Sequence, residues 1–170
     1  AQRAGRGQVR RRWHSPRGNL YVSFLLPDHP LLQGDAAAVV AGYMLTAGFA
    51  RLGFSLQLKW PNDLLTLEGK KVAGLLLEER NGLLVAGLGV NLAEIPSSGE
   101  MRADRATEAA ILFPDDSSVQ DEPLAPFPLW RDLQHSCMEL FAQWQNLPLA
   151  DVLNSASRYM AWKGKTVVLH

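Results

Sequence analysis

The sequence predicts an α+β fold in which a mostly antiparallel mixed sheet packs against helices on one face. The first observation is a run of short strands between residues 55 and 90, separated by proline, glycine and asparagine turn signals. The second is the helical spacing of apolar residues in two longer stretches, 35–52 and 129–144. A chain of 170 residues is long enough to bury these elements around one core.

Composition limits the class of function. The 17 basic and 17 acidic residues cancel, which argues against a general binder of nucleic acids or membrane surfaces. All six charged residues before position 18 are arginines, and a local cationic segment on a neutral protein suits a small anionic ligand. No apolar run reaches the roughly 18 to 20 residues of a membrane span, and the single Cys137 forms no internal disulfide. We therefore expect a cytoplasmic protein.

The amino-terminal segment, residues 1–12, has neither helical nor strand periodicity. On structural grounds alone it is a disordered terminus. As a functional segment, its Gly5 and Gly7 let the backbone approach a ligand while the arginines grip phosphate or carboxylate oxygens. Trp13, which follows, is either a hydrophobic anchor or a ring that stacks on a base.

A strand over Asn19–Leu26 and an alanine-rich helix over Asp35–Leu52 come next. Asp35 is the expected N-cap of the helix, and Gly53 lies just past its end. The helix is scaffold, so Tyr43 and Met44 within it are predicted to be core residues.

The first of these short strands is predicted over Ser55–Trp60. Polar and apolar residues alternate along it, which places Leu56, Leu58 and Trp60 on one face. Pro61 ends this strand, so Asn62 and Asp63 are expected at a turn where polar side chains can meet a ligand. Further strands are predicted from Leu64, over Lys71–Leu77 and, after a tight Asn81-Gly82 turn, over Leu83–Val90.

Glycines within these strands weaken packing unless some group approaches the backbone closely, and a ligand lying on the sheet is one such group. The positions concerned are Gly74, Gly87 and Gly89. Taken singly, Lys59, Lys71 and Asp63 are ordinary solvated charges at strand ends.

Residues 96–128 are typical of a surface connection with a short helix over Ala103–Leu112. Apolar spacing then predicts an amphipathic helix over Leu129–Trp144, a further helix over Leu149–Ala161 and a strand over Thr166–His170. No Ser-His-Asp or Cys-His nucleophile, Walker loop or dinucleotide fingerprint is visible. His135 and Cys137 are not a metal pair, because a metal site needs several converging ligands.

Five motifs in one collinear order change the interpretation of the single charges. They are the arginine-rich segment from Gln2 to Trp13, Gly18 to Ser23, Lys59-Trp60-Pro61-Asn62-Asp63, Lys71-Val72-Ala73-Gly74 and Gly89-Val90-Asn91. In this combination the chain resembles the biotin protein ligases. The resemblance implies a catalytic domain over residues 1–161 with a fold like that of class II aminoacyl-tRNA synthetases. It also implies that residues 162–170 begin a small SH3-like barrel.

The resemblance implies a function as well. Biotin protein ligases activate biotin with ATP to biotinyl-adenylate and pyrophosphate, then pass biotin to a lysine of a biotin carboxyl carrier protein. ATP and Mg²⁺ are the implied cofactors. We expect no DNA binding, because the sequence shows no helix-turn-helix segment. The sequence leaves open whether the chain forms a homodimer through a sheet edge.

The same resemblance assigns candidate site residues. The catalytic candidates are Lys71, which would hold the biotin carboxylate and α-phosphate oxygens, Asp63, which would help the target lysine lose its proton, and Arg6. The biotin and adenylate candidates are Gln2, Gly5, Arg6, Gly7, Gln8, Arg11, Trp13, Lys71, Gly74 and Leu76. The ATP candidates are Lys59, Asn62, Asp63 and Asn91, and Asp63 is also the candidate magnesium ligand.

The arginine segment departs from the usual family pattern, Gly-Arg-Gly-Arg-Arg-Gly-Arg. Gln8 removes a charge and Arg10 replaces a flexible glycine, so we expect the adenylate to escape more readily than from the usual loop. Family members also carry a strand and a helix ahead of this segment. A molecule of only these 170 residues is therefore expected to be marginally stable, to self-associate through an exposed sheet edge and to form the adenylate weakly or not at all. A longer chain that contains these residues is expected to be a competent ligase.

Two other interpretations stay open. Lipoate ligases and octanoyltransferases share the fold and also acylate a lysine, although the combination of Gly-Arg-Gly with Lys-Trp-Pro-Asn-Asp is the biotin pattern. Alternatively, the chain is a non-catalytic relative that only holds biotin or its adenylate.

Overall fold

The computed structural model describes residues 1–7, 13–95, 107–113 and 124–164. Gln8, Arg11 and Thr166–His170, which carry predictions made above, lie outside these residues. Five strands form one sheet in the order β1-β5-β4-β3-β2, and every neighbouring pair is antiparallel. The strands are β1 (Leu20–Leu25), β2 (Gln57–Lys59), β3 (Asp63–Leu65), β4 (Lys71–Arg80) and β5 (Leu83–Val90). The predicted α+β class and antiparallel sheet are confirmed.

The helices cover one face of this sheet, as predicted. They are α1 (Ala37–Arg51), α2 (Pro126–Trp144) and α3 (Leu149–Ala156). Alternate residues of β5, namely Ala86, Leu88 and Val90, are buried in one cluster with Val40 and Phe49 of α1. The residues between them point to the opposite side, because successive side chains of a strand alternate. We call this opposite side the open face; it carries Tyr21, Gly89, Gly74, Leu76 and Asp63.

The helix α1 starts later than predicted, and Asp35 is not its N-cap. A short 3-10 turn over Gly34–Ala36 precedes the helix, and the Ala37 N–H donates to the Gly34 carbonyl. Because this turn already supplies an acceptor, the N-cap position falls to Ala36, which has no side chain to cap it. The predicted burial of Tyr43 and Met44 is confirmed.

The strand β2 is shorter than the predicted Ser55–Trp60. Leu56 and Leu58 are buried as expected, but Trp60 is 67% exposed. The strand ends at Lys59, so Trp60 lies in the following turn and off the strand face. Asp63 begins β3 instead of lying in the turn.

The turn at Asn81-Gly82 and the strand β5 that follows it were predicted accurately. Asn81 and Gly82 both have positive φ, 52° and 76°, as a tight hairpin turn requires. The strand β5 has the predicted bounds, and β4 extends past Leu77 to Arg80.

Two predicted helices are corrected. The described part of Ala103–Leu112 is extended, and it pairs through backbone hydrogen bonds with Lys71 and Asn91. The helix α3 stops at Ala156, because Tyr159 and Ala161 make backbone hydrogen bonds to Leu58 on the outer edge of β2. In both places, backbone groups of the sheet that lack a strand partner form hydrogen bonds with a segment that was predicted to be helical. These bonds favour an extended conformation over the helix.

The predicted amphipathic helix α2 is confirmed, with Leu129, Leu133, Cys137 and Leu140 buried. It packs mainly against α1 and also reaches β1, where Trp130 contacts Phe24 at 4.9 Å between ring centroids. Within the described ranges, no helix is long and apolar enough to cross a membrane.

Candidate active site

One row of residues crosses the open face of the sheet. The register pairs Tyr21 with Gly89, Gly89 with Gly74, Gly74 with Asp63, and Asp63 with Lys59. Directly paired residues project to the same side, so this row has a tyrosine at one end and two charged groups at the other. Burial raises the pKa of the Tyr21 hydroxyl above its ordinary value. Between these ends lie two positions without side chains.

The indole ring of Trp13 fills the space above these two glycines. A Cβ added to Gly89 would lie 2.8 Å from the ring, and one added to Gly74 would lie 2.9 Å from it. The close approach predicted for these two positions is therefore confirmed, and the approaching group is a tryptophan of the same chain. Gly87 differs, because its added Cβ would come no nearer than 3.8 Å to another described residue.

A β-bulge places Lys71 on the same face. Leu64 pairs with Ala73, whereas the next residue, Leu65, pairs with Lys71, so Val72 is an extra residue in β4. An extra residue inverts the alternation of side chains, which turns Lys71 from the helix side to the open face. Without the bulge, strict alternation would direct Lys71 into the core with Ala73.

Asp63 lies between two lysine ammonium groups. Lys71 Nζ is 2.5 Å from Asp63 Oδ1, and Lys59 Nζ is 3.8 Å from Asp63 Oδ2. Lys71 Nζ also lies 4.9 Å from the centroid of the Trp13 ring, a cation–π distance. The three charged side chains are only 17–28% exposed, so solvent screens them less than it screens surface pairs. The cluster carries a net charge of +1, which suits an anionic ligand.

The carboxamides of Asn62 and Asn91 hold the backbone around this cluster. Asn62 Nδ2 donates to the Leu75 carbonyl at 2.8 Å. Asn91 Nδ2 donates to the carbonyls of Ala110 at 3.2 Å and Lys71 at 3.4 Å. These bonds fix the ends of β3, β4 and β5, and the predicted contact of both residues with ATP stays a prediction.

Asn19 is a site-building residue that sequence reasoning missed. Its Oδ1 accepts hydrogen bonds from the backbone N–H groups of Leu92, Ala93 and Glu94, and its Nδ2 donates to the Glu94 carbonyl. Asn19 therefore ties the chain leaving β5 to the start of β1. The signal in the sequence was a polar residue directly before an apolar strand.

The amino-terminal segment folds back along residues 13–15. The Gln2 N–H donates to the Ser15 carbonyl at 3.2 Å, and the Ser15 hydroxyl donates to Gln2 Oε1 at 2.9 Å. Gly5 is buried here, and an added Cβ would lie 2.6 Å from the Trp13 carbonyl oxygen. A side chain at position 5 would not fit in this packing, which accounts for the glycine there. The hydrogen-bonded segment also holds Trp13 in position.

Arg6 and Leu76 lie farther along the sheet. The Arg6 guanidinium is 64% exposed and comes within 4.0 Å of Glu78, which is four residues along β4 from Gly74. Leu76 shares the open face with Gly74 and pairs with Gly87. The structure thus brings Lys59, Asp63 and Lys71 together and leaves Arg6 outside that cluster.

The donor set fits a magnesium ion poorly. Across the part of the chain that the structure describes, no group of three or more His, Cys, Asp or Glu side chains converges. Asp63 is the only carboxylate in the charge cluster as described, and both of its oxygens face lysines. We therefore derive no step through a metal.

The architecture defines the class of protein. An antiparallel sheet with helices on one face is the class II aminoacyl-tRNA-synthetase-like fold that the biotin protein ligases share. The Aquifex aeolicus biotin protein ligase, solved in complex with biotin and ATP, superposes with a TM-score of 0.72 at 24% identity, over 95% of this chain and 66% of that chain. At this identity the likeness establishes the fold.

Sequence comparison establishes the family. Residues 1–101 match the Biotin/lipoate A/B protein ligase family, and the chain belongs to it. It is 40% identical over 103 residues to the bifunctional ligase/repressor BirA of Escherichia coli K12, covering 54% of this chain and 31% of that protein. It is 38% identical over 109 residues to the biotin–[acetyl-CoA-carboxylase] ligase of Paracoccus denitrificans, covering 58% of this chain and 44% of that protein. The chain thus spans less than half of each relative.

Proposed function

We propose that this chain carries the adenylate-forming site of an ATP-dependent biotin protein ligase. The observation that carries the proposal is the Asp63 carboxylate held between Lys71 and Lys59 beside the Trp13 ring. The reaction joins two anions, a carboxylate and a phosphate, and this cluster is cationic and partly shielded from solvent. The name of the Paracoccus denitrificans relative, a biotin–[acetyl-CoA-carboxylase] ligase, supports the choice of biotin and of a carrier of acetyl-CoA carboxylase.

In the first step, a carboxylate oxygen of biotin attacks the α-phosphorus of ATP, and pyrophosphate leaves. Negative charge builds up on the phosphate oxygens in the transition state, so a fixed cation stabilises that state more than the substrates. Lys71 is the cation suited to this role, because the bulge fixes its backbone and the Trp13 ring limits its side chain. Lys59 adds a second positive charge at the phosphate end.

In the second step, a lysine of the carrier protein attacks the acyl carbon of biotinyl-adenylate, and AMP leaves. The attacking amine must be neutral, so a nearby carboxylate that accepts its proton accelerates the step. Asp63 is the carboxylate of the cluster.

The Trp13 Nε1 donor is buried and has no acceptor among the described residues, so an acceptor atom on the bound adenylate would stabilise this arrangement.

Labelled acyl-adenylate formation tests the proposal. The chain is incubated with ATP labelled at the α-phosphate and with either biotin or lipoate, and the products are separated. We expect labelled biotinyl-AMP that depends on biotin. Lipoyl-AMP in its place would assign the chain to the lipoate ligases of the family, and biotin binding without any acyl-AMP would identify a non-catalytic relative.

The roles of Gln2, Gly7, Gln8 and Arg11 at the adenylate remain predictions, as does the need for Mg²⁺. The same assay measures them, because the adenylate can be followed after it forms. A Gln8→Arg variant is expected to release biotinyl-AMP more slowly, since it restores a cation of the usual loop.

A further inference from the structure

Thr107 lies outside every motif of the family resemblance, yet its side chain contacts the charge cluster. The Lys59 ammonium donates to Thr107 Oγ1 at 2.7 Å. The same ammonium is 3.8 Å from Asp63 Oδ2, beyond hydrogen-bond distance, and 5.4 Å from the centroid of the Trp162 ring. Thr107 is therefore the closer polar partner of Lys59.

The backbone directly after Thr107 is held by hydrogen bonds to β4. The Lys71 N–H donates to the Glu108 carbonyl at 2.6 Å, and the Ala110 N–H donates to the Lys71 carbonyl at 2.9 Å. These bonds anchor the segment to the first residue of β4. The position of Thr107 is thus coupled to that of Lys71, on the other side of Asp63.

The two carboxylate oxygens of Asp63 therefore differ in how closely each is paired with a lysine ammonium group. Oδ1 makes a close ion pair with Lys71 at 2.5 Å, whereas Oδ2 has only the longer contact with Lys59. An oxygen already engaged by an ammonium group is a poor proton acceptor, because protonation would break the pair. Oδ2 is therefore the oxygen better placed to accept a proton from a substrate.

We propose that Thr107 is a positioning residue, which holds Lys59 back from Asp63 Oδ2 and so keeps that oxygen available to the amine that receives the acyl group. The inference rests on the proposed function. It assigns Thr107 a role in acyl transfer.

Acyl transfer to a lysine removes two protons from its ammonium group. Asp63 Oδ2 accepts one proton from the incoming ammonium, and the neutral nitrogen forms a bond to the acyl carbon. The bond between that carbon and the phosphate oxygen breaks, and AMP leaves with its electron pair. The second proton lost by the nitrogen passes to solvent.

Three substitutions and a control test this assignment. Thr107→Val and Thr107→Ala remove the hydroxyl, with and without a similar volume, and Thr107→Ser restores it. Glu108→Gln is the control, since it breaks only the exposed ion pair with Lys70 in the same segment. Each chain is mixed with biotinyl-AMP, and single-turnover acyl transfer is measured to the side chain of Nα-acetyl-lysine amide and to hydroxylamine.

Thr107→Val and Thr107→Ala are expected to slow transfer to the lysine derivative about tenfold near neutral pH. Their rates should rise with pH toward the range in which the lysine amine, with an ordinary pKa of about 10.4, loses its own proton. Hydroxylamine is already neutral at pH 7, so its reaction should keep the native rate and serve as a check on folding. Thr107→Ser and Glu108→Gln should behave as the native chain does.

Equal rates for Thr107→Val and the native chain with the lysine derivative would overturn the inference alone. Equal losses with both nucleophiles would also overturn it, because they would show a general structural role. A native chain that neither forms nor consumes biotinyl-AMP would overturn the proposed function and this inference together.

Discussion

At the scale of single residues, the site depends on how one carboxylate is shared between two lysines. Asp63 is close to Lys71 and farther from Lys59, and the partial burial of all three makes their charges interact more strongly than surface charges do. The proposed chemistry requires both features: a cation fixed where phosphate charge develops, and a carboxylate oxygen with capacity for a proton.

Removing the Lys71 ammonium should slow adenylate formation by at least about tenfold. A hydrogen bond to a charged group contributes about 1.5 to 3 kcal/mol, and the transition state carries more negative charge than the substrates. Lys71→Met is measured by biotin-dependent pyrophosphate release beside Lys70→Met, whose ammonium pairs with Glu108 on the surface. Equal rates for the two variants would remove Lys71 from the site.

Cys137 should be unreactive in the folded protein. Burial raises the pKa of its thiol to about 12, so almost no thiolate exists at pH 8. Because the folded-state pKa is higher than the unfolded one, this burial contributes stability below the unfolded pKa and loses that contribution as the pH rises toward about 12. Iodoacetamide at pH 8 should alkylate Cys137 in urea and leave it unmodified in buffer; rapid alkylation in buffer would show that the thiol is accessible.

Single residues also show what a sequence can predict about a site. Lys59, Asp63 and Lys71 were found from their motifs, because the residue types that such chemistry needs recur at short spacings. Asn19 lies within one of the five motifs, but its role was missed, because its contacts are with residues 73–75 positions away. Thr107 was not found, because its role comes from a contact 48 positions away that no local pattern records.

At the scale of elements, the β-bulge at Val72 has the largest consequence for the site. It inverts the alternation in β4 and so presents Lys71 and Gly74 on one face. The hairpin and β5 were predictable because their turn residues and apolar alternation are local signals. The bulge and the extended course of Thr107–Phe113 were not, because both arise from pairing with other strands.

The paired glycines under Trp13 provide a test at this scale. Gly89→Ala should destabilise the chain by about 1 to 3 kcal/mol, because its methyl group would overlap the indole ring. Gly87→Ala is the matched control, on the same strand and face but with its nearest neighbour 3.8 Å away. Urea unfolding of both variants measures the difference. Equal stabilities would show that Trp13 does not lie on this pair of glycines.

At the scale of the whole molecule, α1 joins the sheet to α2 and forms the centre of the core. The face of α2 that carries Leu133 and Cys137 packs against α1 near Gly48, where an added Cβ would lie 2.9 Å from Cys137 Sγ. The open face lies on the other side of the sheet, so the core and the site are separate layers. The predicted self-association through a sheet edge and the predicted boundary after residue 161 stay predictions.

Separate layers predict that core mutations change stability before they change chemistry. Leu133→Ala should lower the free energy of unfolding by about 2 to 5 kcal/mol, because Leu133 is fully buried between α1 and α2. Met138→Ala, on the exposed side of the same helix, should change it by less than about 0.5 kcal/mol. Similar values for the two variants in urea unfolding would contradict the described packing of α2.

The central claim is that the cluster of Lys59, Asp63 and Lys71 supports biotin ligation. It is tested most directly by incubating the chain with biotin, ATP and the biotin carrier domain of an acetyl-CoA carboxylase, and measuring the intact mass of the carrier. We expect the addition of one biotinyl group that requires both biotin and ATP and is lost in the Lys71→Met variant. A carrier of unchanged mass after incubation with the folded native chain, or equal biotinylation by Lys71→Met, would contradict it.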